Sequence, residues 1–340
     1  MADDSSRKRK VRGRKIRSDR SMKEGRRAKK ELARKAPARE RNGDSPLSDP
    51  EDVVPEPFVE TDAVATLRRR ITGWLEADQP VHLIGPTGCG KTALALSAAA
   101  QRDRPVVWLN GDEAVDTAAL VGDHAGGERY TEDDRFVSGV SKQTEIVRER
   151  WVDNPLSVAV REGATLVYNE FSRSDPAAHN VLLSVFEEGV LERPGKRGAD
   201  RTIDVRPEFR AILTSNDVEY AGVHRQQDAL LDRFVGVHVD YYDAETEREI
   251  VKSHVDLADA DVERIVEVMR SLRDELDLVV GTRAAITAAK GLAVFAGNGE
   301  NGEFSDELLA DVFMDVLVPK IAGEGPEDVS QLRTRIAESL

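Results

Sequence analysis

The run Gly85-Pro86-Thr87-Gly88-Cys89-Gly90-Lys91-Thr92 completes the pattern G-x-x-x-x-G-K-[ST], whose residue types suit one task, holding a polyphosphate. Its glycines let successive backbone N–H groups turn inward around a β-phosphate, and a helix beginning at the end of the loop adds the partial positive charge of its N-terminus. Lys91 has the reach to contact β- and γ-phosphate oxygens, and the Thr92 hydroxyl suits a magnesium ion. Pro86, Thr87 and Cys89 fill variable positions, and Cys89 reads as a small filler residue. The implied ligands are ATP and Mg2+.

A phosphate cradle that hydrolyses its ligand needs a second element, at the end of a buried strand, to handle metal and water. Thr165-Leu166-Val167-Tyr168 supplies the strand and Asn169-Glu170 its end. Most proteins with such a loop carry aspartate at the first of these positions; Asn169 accepts a hydrogen bond but brings no charge. Glu170 remains to orient and deprotonate the attacking water. The expectation is slow but real hydrolysis, faster in Asn169→Asp.

Elements at the right places surround both motifs. Val81–Ile84 reads as a buried strand and Thr92–Ala100 as an alanine-rich helix, so the loop lies between strand and helix as the motif requires. Thr61 is a helix cap ahead of Val64, Leu67, Ile71, Trp74 and Leu75, which recur at helical spacing. Further strands are expected at Pro105–Leu109, Phe209–Thr214 and Val235–Val239. Asn154-Pro155 and Asp175-Pro176 each pair a cap with proline at the first helical position; Gly163 and Gly189 end those helices. Leu191–Val205 looks like a hairpin carrying Arg193, Lys196, Arg197 and Arg201. Such alternation implies an α/β fold, an open parallel sheet flanked by helices. After about Tyr242 only helical patterns follow, at Glu245–His254, Asp261–Glu275, Arg283–Phe295 and Ser305–Val318. The expected division is 1–57 as a disordered basic arm and Pro/acidic linker, 58–242 as a nucleotide-binding domain, and 243–340 as a helical lid.

Charge separates these regions. Residues 1–45 hold 18 Lys/Arg against 7 Asp/Glu, whereas the remainder holds 31 against 56. The body is too acidic for a broad phosphate-backbone surface, and only 5% of residues are aromatic, so nucleic acid is not expected as a partner. Beyond residue 45 lysine is reduced to Lys91, Lys142, Lys196, Lys252, Lys290 and Lys320, a balance that resembles proteins of salt-loving organisms. Cys89 is the sole cysteine, which excludes an intrachain disulfide and a thiolate metal cage. No stretch approaches the length of a spanning helix and the N-terminus is charged, so a cytoplasmic protein without a membrane segment is expected.

The two site elements are followed by Leu213-Thr214-Ser215-Asn216, Leu231-Asp232-Arg233-Phe234 and Gly281-Thr282-Arg283-Ala284. This order resembles the MoxR branch of AAA+ P-loop ATPases over roughly residues 60–300. The resemblance implies that Asn216 senses the γ-phosphate and attacking water, that Arg233 reaches a neighbouring subunit's nucleotide, and that Arg283 is a lid-borne sensor. Taken singly, an arginine near a helix end is usually a solvated or dipole-complementing charge; the order carries the assignment. Trp108-Leu109-Asn110-Gly111-Asp112-Glu113, Tyr168 to Ser174 and Asn180 to Glu188 further resemble the gas-vesicle family GvpN, and the acidic body suits a haloarchaeal member. GvpN resemblance implies protein remodelling in gas vesicle assembly and growth, vesicle structural and accessory proteins as partners, a homo-oligomer, and a cytoplasmic or vesicle-associated location. An ATP-gated scaffold with little hydrolysis, a MoxR-like chaperone for another assembly and a nucleic-acid-dependent ATPase are the alternatives. Arg173 has two readings, lining a pore or interface, or pairing with an acidic neighbour.

Overall fold

Five short runs of apolar residues, each too short for a helix and flanked by turn residues, form parallel strands, the three central ones buried on both faces. The computed structural model describes residues 45–134, 142–216, 228–275, 280–295, 304–321 and 326–340. The basic arm of residues 1–44 lies outside them.

The strands are β1 (Leu47–Ser48), β2 (Val81–Gly85), β3 (Val106–Asn110), β4 (Gly122–Asp134), β5 (Lys142–Asp153), β6 (Thr165–Asn169), β7 (Val190–Glu192), β8 (Thr202–Asp204), β9 (Arg210–Asn216) and β10 (Val235–His238). The main sheet has the order β1-β3-β6-β9-β2-β10, and every pairing in it is parallel except β1 with β3. Strand alternation sends Val106, Val167, Ile212, Val81 and Leu83 to one apolar layer, and Val107, Leu166, Tyr168, Ala211 and Leu213 to the other.

The described helices before the sheet ends are α1 (Pro50–Val53), α2 (Asp62–Glu76), α3 (Lys91–Ala100), α4 (Thr117–Val121), α5 (Pro155–Glu162), α6 (Asn180–Glu187) and α7 (Asp228–Leu231). In α2 the Thr61 hydroxyl accepts from the Val64 amide at 3.3 Å, and Val64, Ile71 and Leu75 are buried. Trp74, placed by spacing on the same apolar face, stays 39% exposed. α2 and α3 cover the first layer, α5 and α6 the second. Past β10 come α8 (Ala244–His254), α9 (Asp259–Glu275), α10 (Thr282–Phe295), α11 (Asp306–Leu317) and α12 (Pro326–Glu338), which enclose their own core around Val251, Ile265, Met269, Ala285, Leu309 and Phe313.

Several elements differ from the sequence expectation. The stretch read as a linker supplies β1, whose Leu47 and Ser48 pair with Val107 and Val106, and α1, whose Val53 is buried. The helix expected from Asp175-Pro176 begins as a 3-10 turn, Pro176–His179, before α6. β4 and β5, an antiparallel hairpin with a register shift between His124 and Gly127, had no counterpart because charged residues and glycines interrupt its apolar alternation. α12 was missed for the same reason, being mostly polar in sequence. The hairpin expected at Leu191–Val205 is present as β7 and β8. Three of its four cations are occupied locally: Arg193 pairs with Asp153 at 3.6 Å, Lys196 lies 5.3 Å from the Trp151 ring centre, and Arg201 pairs with Glu192.

Candidate nucleotide-binding and hydrolysis site

The loop between β2 and α3 has the backbone its glycines predict. Gly88 and Gly90 have φ of +85° and +94°, in the left-handed region that side chains disfavour, and Gly90 caps α3. At Gly85 a Cβ would lie 1.9 Å from the Val239 carbonyl oxygen, so the strand end admits no larger residue. Cys89 is buried, with its thiol 3.5 Å from the same carbonyl, in keeping with a packing role.

Two contacts tie this loop to the ends of the neighbouring strands. Lys91 Nζ donates to Gly85 O at 2.8 Å, Pro86 O at 2.7 Å and Asn216 Oδ1 at 3.1 Å. Thr92 Oγ1 donates to Asn169 Oδ1 at 2.6 Å. Register explains the meeting: Gly85 of β2 lies opposite Asn216 of β9, and Asn169 ends β6 beside them, at the carboxyl edge where open α/β sheets bind ligands. The structure thus brings Gly85–Thr92, Asn169 and Asn216 together.

Asn169 is held on every side. Its Oδ1 also accepts from Thr214 Oγ1 at 2.9 Å, and its Nδ2 donates to Asn110 Oδ1 at 2.9 Å. Thr214 in turn accepts from the Glu170 amide at 3.0 Å. Glu170 has φ of +52°, a conformation costing on the order of 1 kcal/mol for a residue with a side chain. Its carbonyl passes so close to Gly111 that a Cβ there would sit 2.2 Å from it. Tyr168 Oη donates to Ser174 Oγ at 2.7 Å and closes the turn that follows. The Glu170 carboxylate pairs with Arg173 at 2.8 Å, so the second of the two readings of Arg173 describes its contact.

The helices after β10 close the loop from above. A Cβ on Gly281 would lie 2.7 Å from Thr87 O and 3.0 Å from Gly88 Cα, so Gly281 lets α10 approach and sets Arg283 beside Gly88. Tyr241 Oη donates to Thr87 O at 3.4 Å, and burial pushes this phenol up to about 12. The Arg273 guanidinium covers the Tyr241 ring at 3.9 Å and binds Glu247, which is fully buried and also bound by Arg270 at 2.8 Å and Thr282 at 3.0 Å. Next to Gly88–Gly90 lies a cavity of about 420 Å3 whose walls include Phe58, Val59, Ile250 and Ile286. Arg233 stands apart: its guanidinium pairs with Glu187 on α6 and donates to Ala229 O.

Asn110, Thr214 and the Tyr241-Arg273-Glu247 chain are site residues that sequence reasoning missed. Thr214 lay inside a quoted motif, two residues from Asn216, on the same face of β9; that spacing was a usable signal. The others converge only through the fold.

Residues 80–234 match the family described as AAA domain (dynein-related subfamily). NtrX from Brucella abortus in complex with ADP has the same fold, with a TM-score of 0.52 at 17% identity over 96% of this chain and 68% of that one. The gas vesicle ATPase GvpN2 of Halobacterium salinarum is 56% identical, covering 99% of this chain and 97% of that protein. The gas vesicle ATPase GvpN of Haloferax mediterranei is 55% identical over the same shares, 99% and 97%. Identity of this degree over nearly the whole length, together with the AAA domain match, makes the chain a member of the GvpN family of gas vesicle ATPases.

Proposed function

We propose that this ATPase couples Mg2+-dependent ATP hydrolysis to the remodelling of vesicle proteins during gas vesicle assembly and growth. It works in the cytoplasm or at the vesicle, as a homo-oligomer with each nucleotide at a subunit boundary. The observation that carries the hydrolytic part is the pair of contacts Lys91–Asn216 and Thr92–Asn169, which gathers phosphate-binding, metal-binding and sensing groups within one hydrogen-bonded cluster.

In this reading Lys91 exchanges the carbonyls of Gly85 and Pro86 for β- and γ-phosphate oxygens, and the loop amides of Gly88 to Thr92 hold the β-phosphate. The base of ATP occupies the cavity bounded by Phe58, Ile250 and Ile286. Thr92 Oγ1 and Asn169 Oδ1 are oxygens of the kind Mg2+ takes, so the pair fits that ion. An ion held by these two oxygens would neutralise charge building on the phosphate oxygens. Glu170 orients the attacking water and takes its proton, Asn216 holds water and γ-phosphate in line, and Arg283 follows the phosphates from α10. Arg233 leaves Glu187 to reach the nucleotide of the next subunit. We assign residues 58–242 to the nucleotide-binding domain and 243–340 to the lid; the separate apolar core of α8–α12 supports that division.

An ATP-gated scaffold is the second reading, favoured by the uncharged Asn169 and by the ion pair that engages Glu170. Phosphate release in molar KCl, with size measured on the same samples, separates the two. Hydrolysis that rises with assembly and falls at least a hundredfold in Lys91→Ala and Glu170→Gln, on the order of a lost general base, supports the ATPase. Assembly on ATP with no release above the mutants supports the scaffold.

A further inference from the structure

β2 buries a polar side chain in a largely apolar layer. His82 is 1% exposed on the sheet face opposite Val81 and Leu83, in a strand flanked on both sides by others. A buried imidazole costs stability unless its nitrogens are bonded, and a leucine would fill the space without that cost. His82 Nε2 and Ser215 Oγ share a hydrogen bond of 2.7 Å. The ring also meets Phe171 edge-on, with centres 4.9 Å apart, and Phe234 at 6.1 Å; the two phenyl rings are 6.2 Å from each other.

Each of these partners is the chain neighbour of a residue given a role above. Ser215 precedes Asn216, Phe171 follows Glu170, and Phe234 follows Arg233. We infer that His82 is a positioning residue that joins the hydrolytic site of one subunit to the arginine that subunit lends to the next. This rests on the roles proposed for Glu170, Asn216 and Arg233. Its physical basis is close packing: buried rings in contact do not shift independently, so a displacement of the Glu170 turn or of Asn216 reaches Phe234 through the imidazole. The hydrogen bond to Ser215 fixes the ring's orientation, which an apolar residue of the same size does not do.

The test uses the full-length protein and its variants His82→Phe, Ser215→Ala and the double variant, with phosphate release, KM for ATP and Tm read together. Each single variant removes the 2.7 Å bond while leaving one of its polar groups in place, so Tm falls in both. In the double variant neither polar group remains and Tm recovers. If the bond positions Asn216, kcat stays about fivefold low in all three, the worth of one hydrogen bond, while KM moves less than about twofold. A kcat that recovers with Tm in the double variant would make His82 a packing residue and overturn the inference. Mixtures with Lys91→Ala protein test the link between subunits. Wild-type activity is expected to fall faster than in proportion to the inactive fraction, and the double variant in proportion. A double variant as sensitive as wild type, or a proportional fall in wild type itself, overturns the inference alone; Arg233→Ala protein that gains no activity when mixed with Lys91→Ala protein means that Arg233 does not act across a boundary, and both fail.

Discussion

At the scale of single residues, Asn169 decides how this site differs from one built on aspartate. Its amide is used at both ends, the oxygen by Thr92 and Thr214 and the nitrogen toward Asn110. Asparagine therefore leaves the cluster satisfied without a charge. Asn169→Asp trades the donor for a negative charge, and the Asn110 amide can turn to donate to it. The expected outcome is a fall of about tenfold in the Mg2+ concentration for half-maximal hydrolysis, the scale of one added charge-assisted contact, with a higher rate at limiting Mg2+. Titration of phosphate release against Mg2+ checks this, and an unchanged midpoint with a lower rate would mean that the amide itself is required. The residues of the loop, Asn169 and Glu170 were legible because their chemistry depends on local order in the chain. Asn110 was not, since nothing in its neighbourhood distinguishes a strand-end asparagine that meets Asn169 from one that meets water.

At the scale of elements, the joint between the sheet and the C-terminal helices rests on one buried carboxylate. Glu247 on α8 receives Arg270 and Arg273 from α9 and Thr282 from the start of α10, and Arg273 continues through Tyr241 to the loop carbonyl of Thr87. Removing one partner of such a group leaves buried charge unmatched, so Glu247→Ala is expected to destabilise the protein by about 3 kcal/mol. Because Thr282 and Gly281 border the loop, the same change is expected to raise KM for ATP. Chemical denaturation and ATP titration check the two effects, and a loss of stability with unaltered KM would separate the joint from the nucleotide site. Periodicity alone located α8, α9 and α10 to within a few residues, since each has a clear apolar face. The ion pairs between α8 and α9 bridge 23 and 26 residues of sequence, the Thr282 hydrogen bond 35, and none leaves a local trace.

For the whole molecule, charge is the governing quantity. Beyond residue 45 acidic residues exceed basic ones by 56 to 31, and many described ion pairs lie at exposed positions where each is worth little. Self-repulsion of such a body is screened as the Debye length shrinks from about 10 Å at 0.1 M salt to about 3 Å at 1 M. Tm is therefore expected to rise with KCl across that range, by several degrees at least for a few kcal/mol of relieved repulsion. A flat profile would show that the acidic surface costs the fold nothing. Among the described residues, no helix is long and apolar enough to cross a membrane. The sequence by itself determined the phosphate loop, the strand ending in Asn169-Glu170, the α/β order and the helical C-terminal part, because each depends on residues close together in the chain. Only the tertiary structure decided that Leu47–Ser48 joins the sheet edge, that a long separate hairpin begins at Gly122 after α4, that Arg233 pairs with Glu187, and that His82 meets Ser215, Phe171 and Phe234. Those facts depend on strand order and register, which place residues 133 positions apart within one hydrogen bond and which no local pattern encodes.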